Sequence, residues 1–269
     1  MKFTSAKCVL FFFSLFLINN YAYAKNDLVR VCDDGAEYPP YSFYQRINGN
    51  INKDKILGIT IEILDEVSKI SGLQFEVKLL PWKRCLLEVE IFGKTGKYEM
   101  FINGTYKESR AEKYFLTSPI FYTKCGFWYS QKKFPEKPVI SSFDDLKKFK
   151  VCGMLGYNYD VYGFPDNKGL YTGFKTKKAA LKGISVGRYD LFLGSGVTVY
   201  GFKALGEDII PEGVLHEKID AARNKPYHMF ISKSSPRAYE LLTKINQAII
   251  ILQARGVIDK ICSKYSIGP

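Results

Sequence analysis

Apolar residues recur at Ile61, Leu64, Val67 and Ile70, the spacing of one helical face. Gly58 precedes this run and Ser71-Gly72 follows it, so the pattern predicts a helix over 60–70 that stops at a glycine. The period then changes. Residues 75–79 alternate apolar and polar, as a strand does, and Pro81 is expected at the first position of a second helix, where its missing N–H is no loss. Trp82, Arg84 and Cys85 fall in the first turn of that helix. Residues 28–32, 98–102, 121–129, 150–154, 189–193 and 227–232 read as further strands, and 176–184 and 236–261 as helices, the last broken at Arg255-Gly256. Ser109 and Ser142 are expected to head short helices, with Asp144-Asp145 at the positive end of the second. The loop Gly156-Tyr157-Asn158-Tyr159 is expected to lead into another helix. Strands alternating with helices predict an α/β fold of parallel sheets with helices on both faces. Ligands of such sheets bind outside the carboxyl ends of the strands. The residues just after each strand are therefore the candidates.

One phrase occurs twice. Gly96-Lys97-Tyr98-Glu99-Met100-Phe101-Ile102-Asn103-Gly104 is echoed by Gly187-Arg188-Tyr189-Asp190-Leu191-Phe192-Leu193-Gly194. Val29-Arg30-Val31-Cys32 and Phe149-Lys150-Val151-Cys152 form a second, earlier echo. Two stretches on one plan imply two similar lobes with a cleft between them, and a cleft is where small molecules bind.

Composition narrows the function. Lys2 and Lys7, the apolar run 9–18 and Ala22-Tyr23-Ala24 form an export leader, residues 1–24, with cleavage expected after Ala24. Its ten apolar residues are too few for a span, which takes about 20. Subtracting Lys2 and Lys7 from the formal charge of +12 leaves +10, spread through surface-type segments such as Gln131-Lys132-Lys133. No basic stripe with a reading motif is present, so no nucleic-acid partner is expected; an anionic ligand or an acidic envelope surface fits the charge better. His216 and His228 are too few and too far apart for a zinc site, and no cofactor is expected. Beyond the leader the cysteines are Cys32, Cys85, Cys125, Cys152 and Cys262, an odd number that leaves at least one thiol free.

Four segments in order carry a resemblance. They are Tyr38-Pro39-Pro40-Tyr41-Ser42-Phe43 with Gly58-Ile59-Thr60-Ile61-Glu62-Ile63; Asn103-Gly104-Thr105 with Ser109-Arg110 and Ser118-Pro119-Ile120-Phe121; Gly156-Tyr157-Asn158-Tyr159; and Gly256-Val257-Ile258-Asp259-Lys260-Ile261 with Lys264-Tyr265. The chain resembles the bacterial extracellular solute-binding proteins of family 3, the polar amino-acid ABC transporter type. The resemblance implies a two-lobed type II periplasmic-binding-protein clamp, each lobe a mostly parallel sheet flanked by helices, joined by two hinge strands. Lobe 1 would comprise residues 25–122 plus 228–269, and lobe 2 residues 123–227.

The resemblance also assigns roles. Arg110 would hold a ligand carboxylate, for which a guanidinium offers a planar fork. Tyr38 and Trp82, with Tyr41 nearby, would wall the ligand's body. Asn103 and Thr105 follow the first-lobe strand and offer hydrogen bonds. Tyr157 and Asn158 stand at an expected helix start that suits an anion, although Asn158 fits an ordinary helix cap equally well. Asp34 and Glu37 are either partners for a ligand ammonium or loop carboxylates with local bonds. Ser195 falls where amino-acid binders place an acid, and a serine cannot neutralise an ammonium. A standard α-amino acid is thus in doubt unless Asp34 or Glu37 substitutes. A carboxylate-bearing ligand without a free amine suits the other groups better. Cys32 and Cys85, both expected near the cleft rim of lobe 1, are the first choice for a disulfide.

The expected function is a periplasmic, monomeric binding protein. It would take a small polar ligand, anionic or zwitterionic, by lobe closure and deliver it to an ABC permease in the inner membrane. An enzyme is not expected, and no H-E-x-x-H pattern occurs. The alternatives are an exported enzyme on the same fold, of the cyclohexadienyl or prephenate dehydratase kind, or a ligand sensor module.

Overall fold

The computed structural model describes residues 27–219 and 224–265. The expected leader and its expected cleavage site lie outside the described residues. The first sheet is built from β1 (Leu28–Asp34), β4 (Gln74–Leu80), β5 (Met100–Gly104), β6 (Tyr114–Leu116) and β13 (Lys225–Ser232), in the order β4-β1-β5-β13-β6. The second is built from β8 (Gly126–Ser130), β9 (Val151–Met154), β10 (Tyr171–Phe174), β11 (Leu191–Leu193) and β12 (Val214–Lys218), in the order β10-β9-β11-β8-β12. In each sheet the first three strands are mutually parallel and the fourth runs antiparallel to both neighbours. The doubled phrase thus ends in β5 and β11, which hold the same place in matching sheets. The earlier echo likewise marks β1 and β9.

Both sheets are covered on both faces, which is why their strands read as unbroken apolar runs. Met100 and Ile102 of β5 point into a core with Val29, Val31, Ile63, Leu64, Leu241 and Ile245, while Phe101 points to the other face with Cys32, Cys85 and Phe230. In β11, Leu191 and Leu193 join one core and Phe192 the other. Helix α1 (Ile59–Ser71) supplies Ile63, Leu64 and Val67, each almost wholly buried and each contributing about 1.5–3 kcal/mol. It ends as expected on Gly72, at φ 75°. Helices α7 (Ala238–Ala254) and α8 (Val257–Lys264) close the first core, separated by Gly256 at φ 66°. No single described helix is long and apolar enough to cross a membrane.

Two strands join the lobes. Strand β7 (Phe121–Thr123) leaves the first sheet and pairs antiparallel with the first residues of β13, Lys225–Tyr227, on the return path. The expected strand over 121–129 is therefore two strands, β7 and β8, parted by Lys124-Cys125.

Other expectations shift by small amounts. Pro81 is the residue before helix α2 (Trp82–Glu90) rather than its first member. Ser109 lies inside the one-turn helix α4 (Glu108–Ala111), which Lys107 precedes. Ser142 does head a helical turn, of 3-10 type, in a capping box with Asp145. The Tyr157 loop leads only to a three-residue 3-10 turn, Asp160–Tyr162, so no helix dipole stands behind Tyr157 and Asn158. A hairpin of β2 (Phe43–Ile47) and β3 (Asn50–Leu57), a one-turn α3 (Phe92–Thr95), α5 (Lys177–Ser185) and α6 (Val197–Ala204) complete the chain.

Candidate functional site

The carboxyl ends of β1 and β5 face the Tyr157 loop of the second lobe. Between them lies a cavity lined by Asp33, Asp34, Tyr38, Trp82, Asn103, Thr105, Arg110, Tyr157, Asn158, Lys225 and Tyr227. Eight of the sequence-predicted residues meet here: Asp34, Tyr38, Trp82, Asn103, Thr105, Arg110, Tyr157 and Asn158. A second cavity adjoins it through Tyr38, Tyr157, Asn158 and Lys225, and Ser195 lines that one.

Arg110 is the electrostatic centre. It is 8% exposed, and burial pushes its guanidinium down to about 10. It donates from Nη1 to the Thr105 carbonyl at 3.0 Å and from Nη2 to the Gly156 carbonyl at 3.1 Å, and lies over the Trp82 ring. Trp82 Nε1 donates to the same Gly156 carbonyl at 3.0 Å. Among the described residues no carboxylate approaches Arg110 within salt-bridge distance.

The carboxylates stand at the end of β1. Asp33 accepts from Ser42 Oγ and Asn103 Nδ2, each at 2.5 Å, and burial pushes its acid up to about 7. Asn103, at φ 57°, also accepts from Thr60 Oγ1 at 2.6 Å. Its amide thus ties the strand end together more than it faces a ligand. Asp34 accepts from Ala36 N and, across the cleft, from Tyr157 Oη at 2.7 Å. Burial raises its acid, and nearby Lys177 opposes the shift.

Glu37 is not brought into the cavity. Arg46 grips it with both terminal nitrogens, at 3.0 and 2.9 Å, and Tyr44 N donates to it as well. Its carboxylate is therefore occupied and not offered to a ligand ammonium. Tyr38 shares a 2.6 Å hydrogen bond with Tyr227 Oη. Asn158 Nδ2 donates across the cleft to Thr105 Oγ1 at 3.2 Å and the Tyr106 carbonyl at 2.6 Å.

Asp33, Lys177, Lys225 and Tyr227 escaped the sequence reading. Asp33 directly precedes Asp34 at a strand end, which was signal enough. Lys177 Nζ lies 4.8 Å from the Tyr38 ring centre and donates to the Glu37 carbonyl. Lys225 Nζ lies over Tyr162 and Tyr227, at 5.7 and 5.2 Å. Only the pairing of β13 with β7 puts Lys225 in the cleft, and no local pattern announces that. Cys32 and Cys85 form a disulfide behind the site, with Cα atoms 5.7 Å apart.

Direct contacts hold the lobes together. Beyond those named, Arg46 bridges Glu37 to Glu207 of the second lobe, with Nε 2.8 Å from Glu207 Oε1, and Lys107 reaches Asp160 and Asp166. Glu207→Gln is expected to weaken ligand affinity by 2–5-fold, since a part-exposed ion pair contributes up to about 1 kcal/mol, here to the closed form only. Titration calorimetry at low and high salt checks this; equal affinities for the variant and the parent at low salt would remove the latch.

A two-lobed clamp closing on a polar, charge-lined cavity is a solute-binding architecture. The chain belongs to the bacterial extracellular solute-binding proteins, family 3, whose profile matches residues 29–268. It is 22% identical over 242 residues to the L-cystine-binding protein TcyA of Bacillus subtilis (strain 168), covering 90% of this chain and 82% of that protein. Among solved structures it is similar in fold to a histidine kinase sensor domain that itself resembles periplasmic binding proteins, with TM-score 0.67, 20% identity, and 88% and 95% of the two chains covered. It is also similar in fold to the arginine-, lysine-, histidine-binding protein ArtJ of Geobacillus stearothermophilus, with TM-score 0.66, 20% identity, and 88% and 94% covered.

Proposed function

We propose that the clamp binds a small polar molecule through a carboxylate held by Arg110, and that closure around it prepares delivery to an ABC permease in the inner membrane. The observation that carries this reading is the buried Arg110 guanidinium, which has carbonyl partners but no described carboxylate within reach. A guanidinium taken out of water without a counter-ion is costly, and a ligand carboxylate supplies the missing charge in a forked pair. Thr105 and Asn158 stand beside it, and Tyr38, Trp82 and Tyr157 wall the ligand's body. Asp34 offers the negative partner that Ser195 does not, so a zwitterion fits as well as a plain acid. The cystine- and arginine-binding relatives point to the same ligand class. In this reading the protein is exported, loses residues 1–24, acts as a monomer in the periplasm and performs no chemistry on its ligand.

Thermal-shift screening against amino acids and organic acids tests the proposal. A ligand at 100 times its Kd stabilises by about 2.7 kcal/mol, a rise of several degrees for a chain of this size. Silence across the whole panel would sink the carboxylate reading. Conversion of a bound ligand, seen by mass spectrometry, would favour the enzyme instead.

A further inference from the structure

The two adjoining cavities are each about 30 Å³ in this closed form, so a ligand enters with the lobes parted and bridges both as they close. Arg110 lines only the first cavity. Lys177, Ser195 and Thr198 line only the second, and Lys225 lines both.

The charges here do not balance. Arg110, Lys177 and Lys225 face Asp33 and Asp34. Lys177 donates to the Glu37 carbonyl and feels the charge of Asp34 from beyond salt-bridge distance. Asp33 is held by Ser42 and Asn103, and burial pushes its acid up to about 7, which weakens its claim on a cation. Lys225 is left with aromatic partners: its Nζ rests over Tyr162 and Tyr227, the Tyr227 hydroxyl is a hydrogen-bond partner that helps hold it charged, and no described carboxylate lies within salt-bridge distance. These partners hold the ammonium charged but carry no formal negative charge. A group of opposite charge is the partner that is wanting.

Resting on the carboxylate reading of Arg110, we propose that the ligand carries a second acidic group and that Lys225 receives it at the boundary of the second cavity. One carboxylate lies on Arg110, an ammonium faces Asp34, and the distal acid meets Lys225 with the Ser195 and Thr198 hydroxyls beyond it. The ligand class is the acidic amino acids and related dicarboxylic acids. The serine at position 195 then acquires a reason. An acid there would oppose the distal carboxylate, whereas a hydroxyl can donate to it.

Titration calorimetry on the mature protein tests this with L-glutamate and L-aspartate against L-glutamine and L-asparagine, and with 2-oxoglutarate as an amine-free diacid. The acids are expected to bind at least tenfold more tightly than their amides. Lys225→Met is expected to lower the acid-to-amide affinity ratio at least tenfold, and Lys225→Arg to retain most of it. Arg110→Ala is expected to weaken every ligand while holding that ratio within threefold. The proposal is overturned if the parent protein binds the amides as tightly as the acids, or binds no acid. It is also overturned if Lys225→Met weakens acid and amide in proportion, the result for a single carboxylate shared by Arg110 and Lys225. Unchanged affinities in Arg110→Ala instead remove the carboxylate reading, independently of the Lys225 ratio. Circular-dichroism melting curves confirm that each variant folds.

Discussion

Arg110→Met is expected to abolish ligand-induced stabilisation while leaving the free protein at least as stable as its parent. The two effects have one cause. In the closed form without ligand the guanidinium is buried, desolvation pushes it down to about 10, and its partners are two neutral carbonyls. Replacing a buried charge with an apolar side chain of similar length is often neutral or stabilising. The Gly156 carbonyl keeps its bond from Trp82, so only the Thr105 carbonyl loses a donor. In the complex the balance reverses. Truncating one partner of a buried charge pair costs about 2–5 kcal/mol, roughly 30-fold to several thousand-fold in affinity. Melting curves with and without ligand read both effects. A variant that melts well below its parent without ligand would make Arg110 a structural residue, and one that keeps the full ligand shift would place the carboxylate elsewhere.

How much of this was legible in the sequence depends on what fixes each feature. Helix α1 was legible in place but only partly in face: of the expected stripe, Leu64 and Val67 are buried, Ile61 only partly so, Ile70 is exposed and Ile63 takes a core place instead. Strands β5 and β11 were legible because strands covered on both faces read as apolar runs. The hairpin β2–β3 was not, because Asn50–Leu57 is mostly exposed and polar and pairs only with β2. Its one local sign is Asn48-Gly49 at the turn, both at positive φ. Site residues at strand ends were legible by position, as Asp34, Asn103 and Thr105 illustrate. The fate of Glu37 was not. Arg46 reaches it from the hairpin, and an unforeseen hairpin gives no ground to expect its arginine there.

Lys225 sharpens the same point. It enters the cleft through the antiparallel register Lys225↔Thr123, a contact about a hundred residues long in sequence that no local pattern encodes. The hinge that lets the lobes move therefore also delivers a charge to the cavity. If the lobes close on the proposed ligand, closure also completes the electrostatics of the cavity, and ligand charge and closure are then coupled.

The Cys32–Cys85 disulfide is where fold and site depend most directly on one bond. Cys32 directly precedes Asp33 and Asp34 on β1, and Cys85 lies one turn beyond Trp82 on α2. The bond fixes the helix that carries the ring beneath Arg110 to the strand that carries the carboxylates. It closes a separation of 53 residues, for which chain entropy gives about 4 kcal/mol of stabilisation. The double variant Cys32→Ala/Cys85→Ala is therefore expected to melt about 10 °C lower than its parent, at about 2–4 °C per kcal/mol for a chain of this size. Both cysteines are fully buried, so reductant added to the folded protein should act slowly, and the double variant is the cleaner comparison. Cys125 and Cys152 are buried thiols, and burial pushes Cys152 up to about 12, which holds it protonated and a poor partner for exchange. Ligand affinity should fall along with stability, because Trp82 loses its anchor. A double variant that melts within about 2 °C of its parent would show that packing around Val89, Phe101 and Phe230 holds α2 in place without the bond.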